Sequence, residues 1–244
     1  MADPVLWTLA GTTAATVFYL LDRRAKLRPT ALDAWAATHR FPLLRDVPTN
    51  ALSSLEPLAL LPTVLAVERL AQGTLRSEQL AMATTMSVCV VGGERQARRF
   101  LLGAFGGHPD LPALRVLPKA AHDAPSHLGF VEMPAAGLPD RYRIESFQPL
   151  RTDLTQAIGD CLEQAGLDAD WRIELRSGRI LIAAPHRDGI TPESLIVLGV
   201  TLGERLFTLL GPPAEAPEPN EKKGACKTSG LPPKLGGCGS CGCG

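Results

Sequence analysis

The chain has 244 residues, 45% of them hydrophobic and 20% charged, enough for one sizeable domain or two small ones. Lys plus Arg and Asp plus Glu balance at 25 each, which argues against a general nucleic-acid binder, since such proteins carry a basic excess. Aromatic residues make only 5%, so Leu, Val, Ile and Ala must build the core.

Residues 5–21 read VLWTLAGTTAATVFYLL, without a charge. At 1.5 Å per residue the run spans about 25 Å, the short end for a bilayer core of about 30 Å. Trp7 and Tyr19 stand near its ends, where interfacial anchors belong. Arg23, Arg24, Lys26 and Arg28 follow, and Asp3 is the only charged side chain before it. The positive-inside rule then puts the N-terminus outside and the rest of the chain in the cytoplasm, a single-pass topology in the inner membrane. A cleaved signal peptide would carry its positive charges ahead of the run. Within the run, Gly11 and Ala15 are four apart and are joined by Thr12 and Thr16. Small residues at that spacing let helices approach closely in lipid. These four residues are the expected surface for docking on an integral membrane partner.

Thr30 predicts an N-cap for a helix over residues 31–41. Leu32, Trp35, Ala36 and His39 share one face of it, so the helix either packs on the domain or lies at the membrane surface. Pro42, Pro48, Pro57 and Pro62 interrupt the next stretch, with a short helix expected over 50–56. From residue 63 the pattern changes to strands over 63–70, 78–85 and 87–91, separated or ended by Gly73 and by Gly92 with Gly93. This predicts an antiparallel meander. The LAMATTM segment around Met82 fits helix or strand alike, as do residues 94–105. Residues 111–117 read as a strand bounded by Pro112 and Pro118, and 118–140 as loop. A strand is expected over 141–147, then a helix from Thr152 through Gln164 that Gly166 ends. Residues 171–175 and 179–183 flank Ser177 and Gly178, a hairpin signature. Thr191 caps a last helix from Pro192, with Leu195, Leu198, Leu202, Leu206 and Leu209 as its apolar stripe.

The order strand, helix, hairpin, helix implies an α+β fold. One N-terminal transmembrane helix would precede a mixed antiparallel sheet with helices packed on one face. The expected organisation is an anchor and basic stretch over 1–29, a cytoplasmic α+β domain over 30–210, and a linker and tail over 211–244. Cys89 and Cys161 lie alone in apolar stretches and are expected as buried small hydrophobes.

The body resembles bacterial single-pass membrane-anchored proteins of a domain-of-unknown-function type with a Gly/Cys-rich tail. The likeness rests on L-x-A-W-A-x-x-H-x-F from Leu32 to Phe41, A-Q-G-T-L from Ala71 to Leu75, and L-P-x-L-x-V-x-P from Leu111 to Pro118. A segment from Leu138 to Ser146 and the final hairpin extend it over roughly residues 30–210. These are packing and turn patterns. The resemblance implies a fold and a membrane tether and brings no activity with it.

The chain carries no G-x-G-x-x-G after a strand, no P-loop, no G-x-S-x-G elbow and no H-E-x-x-H. His108, His122 and His127 form a loose cluster, with the bland reading of solvated loop histidines. The expectation is therefore a protein that is not an enzyme. The tail differs. After the Pro-rich, acidic GPPAEAPEP come Cys226, Cys238, Cys241 and Cys243, the last three as C-x-x-C-x-C. Four thiolates are the number that tetrahedral zinc or an iron–sulfur cluster requires, and a cytoplasmic setting keeps them reduced. S-acylation of a membrane-proximal tail is the competing reading. The expected function is a non-enzymatic, membrane-tethered accessory or assembly subunit docking on a larger integral membrane complex. The alternative is a metal- or redox-handling protein acting through the cysteine tail.

Overall fold

Thr30 caps helix α1 (Ala31–Thr38) with a complete capping box. Its hydroxyl accepts from the Asp33 N–H at 3.3 Å, and the Asp33 carboxylate accepts from the Thr30 N–H at 2.7 Å. The computed structural model describes residues 29–48, 60–61, 64–75, 78–91, 94–121, 129–166, 170–176, 178–187 and 189–212. All of these belong to the part of the chain spanning Met1–Pro213.

After α1 come strands β1 (Leu43–Val47), β2 (Val64–Leu75), β3 (Glu78–Val91) and β4 (Glu94–Gly106). Then follow β5 (Leu114–Pro118), β6 (Val131–Met133), β7 (Tyr142–Ser146) and helix α2 (Thr152–Ala165). The hairpin β8 (Arg172–Arg176) and β9 (Arg179–Pro185) leads to helix α3 (Pro192–Leu210). The strands form one nine-stranded sheet in the order β1-β2-β3-β4-β9-β8-β5-β7-β6. Every neighbouring pair is antiparallel.

Two expectations are corrected. The fold is sheet-rich and wholly antiparallel, where a mixed sheet behind a transmembrane helix was expected. It holds three long neighbouring strands, β2 to β4: the break expected at Gly92 and Gly93 falls between β3 and β4, whereas those expected at Gly73 and around residue 86 do not interrupt a strand. Gly73 sits inside β2, where it makes room for the Phe41 ring: a Cβ there would lie 2.9 Å from that ring. Met82 and Ser87 lie within one uninterrupted β3, and residues 94–105 extend the ladder against it. The second correction concerns the membrane. Among the described residues no helix is long and apolar enough to cross a bilayer, so the single-pass inner-membrane localisation finds no support. The run at 5–21, with Gly11, Thr12, Ala15 and Thr16, lies outside the described residues. So does the short helix expected over 50–56.

Strand alternation divides the core between the two faces of the sheet. On one face Leu101, Phe105, Ile180, Ile182, Ile173 and Val116 join the buried sides of all three helices. On the other, Phe100, Leu102, Leu181, Ala183 and Leu117 pack with Leu60 and Leu61. Helix α1 contributes Leu32, Trp35 and Ala36 to the first cluster, so it packs on the domain. Asp33 fixes its position: the carboxylate pairs with Arg69 of β2 at 2.6 Å and with Arg45 of β1 at 2.7 Å. Burial pushes this carboxyl up, but the Thr30 hydrogen bonds and the two guanidiniums outweigh it and hold the group below the ordinary carboxylate value.

The last third follows the sequence closely. Helix α2 ends at Gly166, whose φ of 88° suits a residue without Cβ. Thr191 caps α3 with Pro192 at its first position. Leu195, Leu198, Leu202 and Leu206 are buried along it, and Arg205 pairs with Asp160 of α2 at 3.1 Å. Trp171 is buried, its indole N–H donating to the Gly166 carbonyl at 3.0 Å. Tyr142 accepts from the Trp171 backbone N–H at 3.2 Å, and burial pushes its phenol up to about 12. Cys89 and Cys161 are buried, as expected, and burial raises the Cys161 thiol.

Candidate docking groove

The side of α3 away from its leucines carries a second stripe. Glu193, Val197, Val200 and Glu204 follow i, i+4, i+7, i+11 and so lie on one face. With α1 and the β2–β3 turn region they line a groove of about 580 Å³. Trp35 and Leu75 form its opposite wall, with Leu80 and Phe105 between. Val197 is 62% exposed, although it stands in the middle of an apolar helix face.

Each wall has a local cause. The Trp35 indole is held between the His39 ring, stacked at 4.7 Å, and the Phe41 ring, tilted at 4.8 Å. The His39 ring is fixed in turn: its Nδ1 donates to the Trp35 carbonyl at 2.9 Å. On the other side α3 comes close to the sheet because Gly199 faces Phe105 and Gly103 faces Leu195. A Cβ at either glycine would lie 2.6 Å from its neighbour. A second cavity of about 500 Å³ adjoins the groove through Gln79, Leu80 and Phe105 and runs past Gly73 and Gly106 to Arg179.

The groove's polar groups are sparse and of one sign. Glu193 and Glu204 line it at opposite ends of the stripe, and among the described residues no Lys or Arg does. Gln79, Thr201 and His39 complete the polar lining. The arrangement offers apolar contact and two carboxylates.

The opposite face of the sheet carries the densest charge. Arg115 of β5 stands in register between Glu145 of β7 and Glu174 of β8. It donates to Glu145 at 2.5 Å, and Arg143 donates to the same carboxylate at 3.0 Å. The Arg115 guanidinium also lies over the Phe130 ring at 4.9 Å. Nearby, Arg172 donates to the Leu60 carbonyl at 3.0 Å and covers Phe100 at 5.0 Å. Arg115, Arg172 and Glu174 are buried. Arg115 and Arg172 each meet a carboxylate, a ring or a carbonyl, so the row ties strands together.

Most of the residues proposed from the sequence fall outside the described part of the chain. Gly11, Thr12, Ala15 and Thr16, and Cys226, Cys238, Cys241 and Cys243, lie outside the described residues, as do His122 and His127. His108 is described and corrects its reading as a solvated loop histidine: it is 1% exposed. Its Nε2 donates to the Gly211 carbonyl at 2.9 Å, and its Nδ1 accepts from the Asp110 N–H at 3.2 Å. Among the described residues no three or more His, Cys, Asp or Glu side chains are grouped to hold a metal ion. The groove itself escaped the sequence reading. Its signal was the second helical register on α3, hidden behind the stronger leucine stripe.

No protein-family model matches the chain, and no curated protein does. One similar solved structure is the crystal structure of the mycobacterial trehalose monomycolate transport factor A, TtfA. It is 13% identical, has a TM-score of 0.49, and the match covers 75% of this chain and 95% of that one. At a TM-score below 0.5 the likeness establishes neither a shared fold nor a shared function.

Proposed function

We propose that this protein is a non-enzymatic accessory or assembly protein that docks on a partner through the groove between α1 and α3. The supporting observation is Val197, 62% exposed beside the half-buried Leu75, in a groove that the buried Trp35, Leu80 and Phe105 also line. Lone exposed apolar residues are ordinary, but an apolar groove that holds one marks a contact surface. The geometry is set by glycine packing and ring stacking on rigid elements, so the surface is pre-formed.

The test is sedimentation of the full-length chain from its native cells, with Val197→Asp in the groove and Leu65→Asp, at another exposed apolar position, as the control. A larger assembly for the wild type and the control, lost for Val197→Asp, supports the reading. A free wild-type chain, or equal loss for both variants, overturns it.

The tail motif motivates a second reading, metal or redox handling by Cys226, Cys238, Cys241 and Cys243. Elemental analysis of the full-length protein, purified under reducing conditions, checks it against the quadruple Cys→Ser chain. About one zinc or one iron–sulfur cluster per chain, absent from the variant, supports it. Equal metal in both chains removes it.

A further inference from the structure

We infer that the groove's occupant is an amphipathic helix of a partner protein, apolar at its centre and carrying a Lys or Arg toward each end. This rests on the docking reading above and specifies what docks. The stripe Glu193, Val197, Val200, Glu204 repeats with spacings of four, three and four, which is the period of a helix–helix seam. Its apolar centre is short, and the carboxylates bracket it three turns apart, about 16 Å along the axis. Both carboxylates lie on exposed residues of α3, and neither forms an ion pair among the described residues. Among the described residues no cation lines the groove to neutralise them.

Helix-in-groove recognition places apolar anchors at i, i+3, i+4 and i+7 of the guest. Such anchors would meet Val197 and Val200 together with the half-buried Ile196 and Leu75. A cation before and after the anchors would then meet Glu193 and Glu204. A second copy of this chain is the wrong occupant. Packing α3 on its own two-fold mate would set Glu193 against Glu204 in the antiparallel arrangement and like against like in the parallel one. An extended strand fits poorly as well, since α1 and α3 cover the sheet here and leave side chains, not ladder groups, in the groove.

Two peptides with the same Leu-based seam serve as probes, one with Lys and one with Glu at positions eleven apart. Binding to the full-length protein is followed by fluorescence anisotropy at two salt concentrations. The Lys peptide should bind saturably and lose affinity with added salt. Val197→Asp should weaken it tenfold or more, and Glu193→Lys with Glu204→Lys should reverse the preference to the Glu peptide. Glu193 lies in the first turn of α3, where a carboxylate steadies the helix dipole, so Glu204→Lys alone is the second variant and should halve the logarithmic preference. Circular dichroism of each variant shows that the fold is kept. Equal binding of the two peptides, or binding indifferent to Val197→Asp, overturns the inference. The two failures are separable in the native assembly. If Val197→Asp releases the partner and the charge reversals do not, the groove docks something other than a basic helix. If Val197→Asp releases nothing, docking through the groove falls with it.

Discussion

His108 and Gly211, 103 positions apart, are joined by a hydrogen bond of 2.9 Å from the imidazole Nε2 to the glycine carbonyl. Because Nδ1 accepts from the Asp110 N–H at 3.2 Å, the ring is the neutral Nε2–H tautomer. Gly211 is the C-cap of α3, so a side chain beyond β4 holds the end of the helix whose other face lines the groove. Phe207 of α3 meets the same ring edge-on at 5.0 Å.

His108→Ala should therefore unfasten the last turn of α3. It leaves the Gly211 carbonyl and the Asp110 N–H without their partner, at about 1–3 kcal/mol for a buried group. A stability loss of about 2 kcal/mol in chemical denaturation is expected. Amide exchange should quicken at residues 207–211 and stay unchanged at the α3 N-terminus. Uniform exchange along α3 would show that the hydrogen bond does not hold the helix end.

A second expectation comes from the glycine contacts. Replacing Gly199 by Ala in an exposed helix gains about 1 kcal/mol of propensity. Here the new methyl would lie 2.6 Å from the Phe105 ring. That ring is 6% exposed and has little room to retreat, because Gly103 on its own strand already approaches it closely. Overpacking of this kind costs about 1–3 kcal/mol and outweighs the propensity. Gly199→Ala should lower stability by about 1–2 kcal/mol and weaken any groove ligand. A stabilised variant would mean that α3 can lift from the sheet freely.

The sequence made the last third of the fold legible and the middle less so, for a physical reason. Thr152, Gly166, Thr191 and Pro192 act through their own backbone, and local signals of this kind survive packing. The β2–β4 region is decided by partners far away in the chain. Gly73 reads as a break until the Phe41 ring is seen to need its space. The segment around Met82 reads as helix or strand until β4 supplies the ladder. The burial of Arg115 depends on Glu145 and Phe130, both distant in sequence. Of the groove, α3 was visible as a packed helix, but its second face gains meaning only when α1 is placed opposite.

The Arg115 row permits a coupling measurement. Removing one partner of a buried ion pair costs about 3–5 kcal/mol, because the other charge stays buried alone. Arg115→Met leaves Glu145 to Arg143 alone and takes the facing cation from Glu174, so a loss of about 3 kcal/mol is expected. Glu145→Gln should cost less, since its carboxylate is part-exposed. In the double variant the two losses should fall short of their sum by at least about 1 kcal/mol, the usual size for residues in contact. Strict additivity would show that the pair does not interact as drawn.

Asp33 gives the fold an acid sensitivity of known sign. Its carboxyl is held below the ordinary 3.8, because hydrogen bonds from Thr30 and the charges of Arg69 and Arg45 outweigh the opposing effect of burial. The unfolded chain therefore binds a proton there at a higher pH than the folded one. The stabilisation is complete above the unfolded value and disappears as pH falls through the folded one. Between about pH 5 and pH 2 the wild type should lose more stability than Asp33→Asn, whose capping amide does not titrate. At pH 7 the variant should be the weaker of the two, since Arg69, 3% exposed, loses its anion. Denaturation midpoints of both chains across this range decide the matter. Parallel pH profiles would mean that the Asp33 charge does not hold α1 against β1 and β2.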